Sequence, residues 1–465
     1  MQNHIFFIKT ALFVILSKSR FNNKEKRMER KDFIKGALWI TVGGFVSKVI
    51  GALYRIPLTN LIGGYGIGLY QMIYPFYCLL LTLSATGIPS AVSALTASEF
   101  AKGNLARNTL SPAMKLFAII GGIGTILMLL LSGTLAKAQG ETALIGGYIA
   151  LAPSVFLVSI IAVFRGWLQG RGNMKPTAIS EILEQLIKVC VGLLFAYLYR
   201  GNIQKSVTAL LFAVTVSELC ALCYMFVCYK RVHAPILFKN QGDRVAVKEI
   251  LKVSIFVTLT SALLPLSNMI ESVLLPRLLN KYTTEAVSLY GLYAGGAVTL
   301  VGLPVSLCYG IVAVTVPSVA SSPQNERRKR IFYALGLTLL ISVPCAVGLY
   351  LFAPTAVNII YRALSVTEKQ TLIHLLRALS PTAVTLSALQ TLSACLTAQG
   401  KSRFGSVSMF FGVVVKLILD VVLIANPNYS ILGATVSANT CYALVFLINL
   451  FINLRVSKKE KQQTV

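Results

Sequence analysis

Two lysines, Lys188 and Lys416, stand inside apolar stretches that are long enough to cross a membrane. They lie 228 positions apart, and the segments that end on them, 151–188 and 379–416, align without a gap. An ionised side chain in the hydrocarbon core costs about 2.5 to 3.5 kcal/mol. Two copies of so costly a residue indicate a duplicated device in a transport pathway.

The neighbours of the two lysines are duplicated as well. Seven of the 38 aligned positions are identical: Leu151/Leu379, Pro153/Pro381, Ser159/Ser387, Leu168/Leu396, Gly172/Gly400, Ser180/Ser408 and Lys188/Lys416. The matched residues include a helix-distorting proline and a turn glycine, which are the residues that a copied helical unit needs at fixed places.

Further charged residues lie in or near the apolar stretches. The cations that we take as candidate substrate ligands are Lys48, Arg55, Lys188, Lys416, Arg277 and Arg377. The candidate coupling or pairing carboxylates are Glu184, Glu218, Glu271 and Asp420. Glu184 with Lys188, and Lys416 with Asp420, are spaced i, i+4, so each pair is expected on one helical face.

We expect Lys48, Lys188 and Lys416 to face a watery cavity, because they lie well inside their spans. Arg55 and Arg277 stand near outer ends, where snorkelling to the surface is an equal alternative. A cavity with more cations than anions suits an anionic substrate such as a phosphate or pyrophosphate, with the lysines acting as point charges.

The composition requires a membrane protein. Hydrophobic residues make up 55% of the 465 residues, charged residues 13%, and the mean hydropathy is +0.73. Runs of about 20 apolar residues can each span the hydrocarbon core. We count twelve, near 33–54, 68–95, 114–135, 144–164, 178–199, 206–229, 250–274, 287–318, 331–353, 371–397, 405–425 and 430–453.

The net charge of +27 follows the topology of a membrane protein. With the N-terminus inside, 30 of the 43 basic residues fall on the cytoplasmic side and eight in outer loops. This positive-inside bias places both termini in the cytoplasm. The basic cluster at 327–330 therefore indicates contact with anionic membrane lipid, and we expect no nucleic-acid partner.

The polar segment between the sixth and seventh spans divides the chain into two halves of six helices. Both halves then start inside, so they are parallel repeats around a central cavity. We predict an all-α polytopic membrane protein with a leader at 1–28, an N-lobe at 29–230, a cytoplasmic linker at 231–249, a C-lobe at 250–455 and a basic tail at 456–465. We interpret the leader as an interfacial stretch or as residues upstream of a true start at Met28.

Enzyme motifs are missing from the sequence. It has no HExxH, GxSxG or Walker pattern, and no DxD-like pair in a soluble segment. We expect no cofactor, no metal and no catalytic residues. The segment Gly63–Gly68 joins two membrane helices and is expected to form an outer turn.

Residues 35–98 resemble the stage V sporulation protein B group of polysaccharide transporters. The most specific pieces are SKVIGALYRIPLTNLIG, GIGLYQ and TGIPSAV. That group belongs to the multidrug/oligosaccharidyl-lipid/polysaccharide (MOP) flippase superfamily. The resemblance implies a flippase for a polyprenyl-pyrophosphate-linked saccharide such as the peptidoglycan precursor lipid II. It also implies the cell membrane or spore cortex synthesis as the setting, and cell-wall synthesis enzymes as partners.

Three other functions stay open at this point. A multidrug and toxin extrusion exporter shares the architecture but carries organic cations and would use carboxylates such as Glu218, Glu271 and Asp420. A membrane glycosyltransferase is disfavoured, because no sizeable extramembrane segment can carry its acidic site. A non-transporting scaffold for wall-synthesis enzymes is the third alternative.

Overall fold

A computed structural model describes residues 23–101, 107–232, 261–320 and 322–462, with the isolated positions 248, 250, 258 and 259. All regular elements within these residues are helical. This confirms the predicted all-α class. Most of the predicted linker at 231–249 and residues 1–22 of the predicted leader lie outside the described residues.

Fourteen α-helices make up the described part of the chain. Their bounds are α1 Asn23–Leu81, α2 Ile88–Ala101, α3 Arg107–Gln139, α4 Leu144–Gly170, α5 Lys175–Leu198, α6 Ile203–Arg231, α7 Leu263–Leu279, α8 Ala286–Gly291, α9 Val298–Ala320, α10 Gln324–Leu351, α11 Ala353–Ile360, α12 Val366–Ala398, α13 Ser402–Ile424 and α14 Leu432–Gln462. Two π-helical segments, Thr82–Thr86 and Leu292–Ala297, connect α1 to α2 and α8 to α9.

Nine helical stretches among the described residues are long and apolar enough to cross a membrane. The first of them runs over Val42–Glu99 and holds two predicted spans, because Gly63 breaks the helix with φ 69° and ψ −176°. Two further predicted spans correspond to α5 and α7. Helix α5 carries three charges in its apolar stretch. The seventh predicted span, 250–274, overlaps α7 only from Leu263, and α7 continues beyond the span to Leu279.

The outer turn predicted at Gly63–Gly68 is shorter than expected. Only Gly63 leaves helical geometry, and α1 continues from Gly64 to Leu81. A positive φ is accessible to glycine without steric cost, so one residue is enough to redirect the chain.

The helices pack mainly within each half of the sequence. In the first half α3 packs on α4, and α5 and α4 pack on α6; in the second, α12 packs on α10 and α14, and α13 packs on α14. Helix α1 also contacts α7, α8 and α9 of the second half. A common apolar core joins the halves, with Leu58, Ile73 and Tyr148 from the first and Tyr293 and Tyr361 from the second.

The duplicated residues adopt the same local geometry in both copies. Gly172 after α4 and Gly400 after α12 have φ of 80° and 71°. Their amides donate to the carbonyl oxygens of Gln169 and Thr397 at 2.9 and 3.0 Å. These are equivalent αL helix ends, in which glycine avoids the Cβ penalty.

The predicted domain boundaries are not fixed by these observations. Helix α1 begins at Asn23, ahead of the predicted N-lobe start at 29, and α14 continues to Gln462, beyond the predicted end of the C-lobe at 455. The division into lobes at the linker stays a prediction.

Candidate functional site

Lys416 is the centre of a buried charged cluster in the second half. Its Nζ lies 2.6 Å from Oε1 of Glu271 on α7 and 3.2 Å from Oδ2 of Asp420 one turn further along α13. Ser267 donates a hydrogen bond of 2.9 Å to the same Glu271 oxygen. The spacing of Lys416 and Asp420 predicted their pairing, whereas Glu271 joins them through the packing of α7 on α13.

The cluster is unbalanced in charge. One ammonium meets two carboxylates, and Oδ1 of Asp420 is buried with no hydrogen-bond partner among the described residues. All three charged side chains are buried in the protein. Lys416 is therefore fully engaged, and its positive charge is more than cancelled where it stands.

Lys188, the counterpart of Lys416, has a different environment. Its side chain is 8% exposed on α5 and makes no ion pair within 4.0 Å and no hydrogen bond with any described residue. Glu184 and Glu218 attract it electrostatically from beyond ion-pair distance. A buried cation without a partner is costly and needs a compensating anion or water.

Glu184 does not form the expected pair with Lys188. Its Oε2 accepts from NH2 of Arg165 on α4 at 3.2 Å, and its Oε1 accepts from Nε2 of Gln185 at 3.1 Å. Nε of Arg165 donates to Oγ of Ser180 at 2.9 Å, which fixes the guanidinium over α5. The spacing of Glu184 and Lys188 permits them to pair, but Arg165 from another helix is better placed and binds the carboxylate instead.

Glu218 on α6 is a second buried carboxylate in the first half. It is 2% exposed, and the hydroxyl of Tyr77 on α1 donates to its Oε1 at 3.4 Å. Its Oε2 has no hydrogen-bond partner among the described residues. One long hydrogen bond does not satisfy a buried carboxylate, so Glu218 keeps unused capacity to accept hydrogen bonds.

Lys48 and Arg55 connect α1 to α9 of the second half. The Nζ of Lys48, an exposed residue, lies 3.2 Å from the centre of the Tyr309 ring. NH1 of Arg55 donates to Oγ1 of Thr299 at 2.8 Å. Both cations therefore lie where the two halves meet, and Arg55 is anchored in the protein.

The other two candidate cations lie apart from these groups. Arg277 is exposed in the last turn of α7. Nε of Arg377 on α12 donates to the carbonyl of Tyr350 on α10 at 3.3 Å, and its guanidinium lies 5.8 Å from that tyrosine ring. The structure does not bring Arg277 or Arg377 together with the buried lysines.

The balance of charge differs from the expected excess of cations. The buried and half-buried groups around the two lysines are three cations, Lys188, Arg165 and Lys416, and five carboxylates: Glu181, Glu184, Glu218, Glu271 and Asp420. Including Lys48 and Arg55 makes five cations, which only equals the number of carboxylates.

Two contributors to the site do not stand out in the sequence. Arg165 directly follows the predicted span 144–164, which assigns it to a loop, yet it lies within α4 and is 14% exposed. Tyr77 carries no charge, and no motif marks it. The apolar run that continues directly up to Arg165 is the sequence feature that could have indicated that this arginine lies within the helix.

Among the described residues, no group of three or more His, Cys, Asp or Glu side chains is arranged to hold a metal ion.

Comparison with known proteins gives consistent matches. A family model described as "Polysaccharide biosynthesis protein" matches residues 33–323. Stage V sporulation protein B of Bacillus subtilis (strain 168) is 26% identical over 442 residues, covering 91% of this chain and 83% of that protein. Lipid II flippase MurJ of the same organism is 23% identical over 420 residues, covering 84% and 77%.

Solved structures match over nearly the whole chain. An inward-facing multidrug resistance MATE family transporter of the MOP superfamily aligns with a TM-score of 0.75 and 17% identity, covering 90% of this chain and 96% of that one. Lipid II flippase MurJ in an inward closed conformation aligns with a TM-score of 0.69 and 16% identity, covering 91% and 90%. These matches establish the MOP fold and confirm the resemblance found in the sequence.

Proposed function

Because the chain belongs to the family described as polysaccharide biosynthesis proteins, we propose that it is a flippase for a lipid-linked oligosaccharide. The substrate is a saccharide joined through pyrophosphate to a polyprenyl lipid, with lipid II as the specific candidate. The protein moves this lipid between the leaflets of the cytoplasmic membrane, with both of its own termini in the cytoplasm. Its work is transport and not covalent chemistry.

The observation that carries this proposal is the unpaired ammonium of Lys188. A lysine that is 8% exposed and has no counter-ion among the described residues is a binding group for an anion that arrives from outside the protein. A pyrophosphate supplies negative charge and several acceptor oxygens. Lys48 and Arg55, at the meeting of the two halves, add positive charge on its path.

Transport by alternating exposure is supported by the contacts between the halves. Asn60 on α1 donates to the carbonyl of Ile360 at 2.7 Å and accepts from the amide of Ala363 at 3.1 Å. Gly64 of the first half lies against Ser288 and Glu368 of the second half, and Oγ of Ser288 donates to Oε1 of Glu368 at 3.1 Å. The proposed topology puts all of these contacts on the outer side, so we take this conformation as closed to the outside.

The main alternative is a cation antiporter of the multidrug and toxin extrusion type. The observation in its favour is the cluster of Glu271 and Asp420 around one lysine, with the unsatisfied Glu218 in the other half. In that case the carboxylates would bind the transported or coupling cation. A scaffold for cell-wall synthesis enzymes would need none of these groups.

Reconstituted vesicles can separate these functions. We expect wild-type protein to move a polyprenyl-pyrophosphate-linked disaccharide across the bilayer, and Lys188→Ala to reduce the rate at least tenfold because the attraction to pyrophosphate is lost. Lys205→Ala is the matched control, since Lys205 is exposed on the surface of α6. We expect Glu218→Gln to be milder than Lys188→Ala.

The reverse order would support the antiporter. In that case Glu218→Gln or Asp420→Asn would abolish export of an organic cation, while Lys188→Ala would retain it in a stably folded protein. Loss of lipid movement in every preparation, including the wild type, together with binding of wall-synthesis enzymes would favour the scaffold.

A further inference from the structure

The two repeats place an acid one helical turn from the duplicated lysine, but on opposite sides. Glu184 precedes Lys188 by four residues, and Asp420 follows Lys416 by four. In both repeats the acid is on the same helical face as the lysine and within reach of it. The sequence therefore permits an ion pair between the lysine and the acid within each of the duplicated helices.

At each position where one repeat has its acid, the other repeat has a glycine. Gly412 is the counterpart of Glu184, and Gly192 is the counterpart of Asp420 at the same offset of 228. Gly192 lies against the hydroxyl of Tyr54, which leaves no space for a side chain there. The acid of the first repeat can therefore stand only on the side of Lys188 that faces Arg165.

This ion pair forms in the second repeat but not in the first. Asp420 binds Lys416 at 3.2 Å, whereas Glu184 binds Arg165 at the same distance and leaves Lys188 unpaired. The counterpart of Arg165 in the second repeat is the neutral Ser393, whose Oγ accepts from Nδ2 of Asn449 at 2.9 Å. Arg165 is thus a cation that the second repeat does not have.

The geometry around Arg165 explains why Glu184 binds it. Its Nε is held by Ser180 and its NH2 reaches Glu184, so the planar guanidinium has two fixed contacts on α5. Such a preorganised fork loses less side-chain entropy in binding a carboxylate than a flexible lysine does. Without Arg165, Glu184 would be free to turn toward Lys188 and neutralise it.

We propose that Arg165 is a positioning residue for anion recognition: it binds Glu184 and thereby keeps the Lys188 ammonium available for the pyrophosphate of the substrate. The second lysine, Lys416, is held by two carboxylates and does not bind the substrate anion. Anion recognition is then confined to the first repeat. This inference rests on the proposed flippase function.

The test uses a cycle of two substitutions in the full-length protein. Arg165→Gln removes the competitor and allows Glu184 to pair with Lys188, so we expect weaker affinity for inorganic pyrophosphate and a KM for the lipid substrate raised about tenfold. Glu184→Gln alone should change little. The double variant Arg165→Gln/Glu184→Gln should return to within about twofold of wild type, because the carboxylate that could turn toward Lys188 has been removed and Glu218 stays as in the wild type.

Rescue by the second substitution separates positioning from a merely structural role. A double variant as weak as Arg165→Gln, at equal thermal stability, would overturn the inference. So would an Arg165→Gln variant whose pyrophosphate affinity equals that of wild type. If Arg165→Gln does not fold, Arg165→Lys keeps a cation beside Glu184; near-wild-type affinity supports the inference, and an affinity as low as that of Lys188→Ala contradicts it.

Pyrophosphate binding to the purified protein distinguishes this inference from the proposed function. A wild-type protein that binds pyrophosphate through Lys188 but moves no lipid would contradict the flippase, while the substitution cycle would still decide the role of Arg165. A wild-type protein that neither binds pyrophosphate nor moves the lipid overturns both.

Discussion

At the scale of single residues, the two duplicated lysines differ in what surrounds them. Lys416 is enclosed by Glu271 and Asp420, while Lys188 has no partner among the described residues. Removing one member of a buried ion pair leaves uncompensated charge, which costs about 3 to 5 kcal/mol. Removing a buried cation that has no partner relieves a desolvation cost instead.

We therefore predict opposite effects on stability. Lys416→Ala should destabilise the protein by about 3 to 5 kcal/mol, because two buried carboxylates lose their counter-ion. Lys188→Ala should leave the unfolding temperature unchanged or raise it. Thermal unfolding in detergent measures both, and a loss of stability as large in Lys188→Ala as in Lys416→Ala would show that Lys188 is structurally paired.

At the scale of helices, the duplicated segments are recognisable by how they end. Gly172 and Gly400 have positive φ and close equivalent helix ends. The serines inside the repeat are also equivalent: Ser159 and Ser387 donate to the carbonyl groups four residues earlier, at 2.9 and 2.7 Å. The low sequence identity of the two copies thus hides a close agreement in local geometry.

Substitution of the two turn glycines tests this agreement. Gly172→Ala and Gly400→Ala should each cost about 1 to 2 kcal/mol, because a Cβ is unfavourable in the left-handed region. Gly336→Ala is the control, since Gly336 lies within α10, has ordinary helical geometry and has open space where a Cβ would stand. This control should be neutral or stabilise the helix by about 0.5 to 1 kcal/mol. Equal effects at all three glycines would show that the turn conformation is not needed.

At the scale of the whole molecule, α1 joins the halves. It carries Arg55 and Asn60, which bond to Thr299 and to the end of α11, and its apolar residues belong to the core shared with the second half. Because α1 packs on its own half and also bonds to the other, binding of a ligand to one half can change the contacts that α1 makes with the other half. The placement of basic residues predicts how this assembly is oriented in the membrane.

The topology predicts which sites are accessible from outside. In a background without the native cysteines, a cysteine at Gln241 in the linker should not react with an impermeant thiol reagent added outside intact cells. A cysteine at Tyr429, exposed between α13 and α14, should react. Reaction at Gln241 from outside would overturn both the orientation and the parallel arrangement of the repeats.

The sequence by itself determined the membrane class, the helical fold and the family, because these depend on the length of apolar runs and on local motifs. It also determined that Lys416 and Asp420, like Glu184 and Lys188, share a helical face, since residues one turn apart do so whatever the tertiary structure. Only the tertiary structure decided that Lys416 binds Glu271 as well as Asp420, that Arg165 binds Glu184, and that Lys188 is left unpaired. These contacts join different helices, and the rotation and depth at which helices pack are set by the whole set of side chains between them.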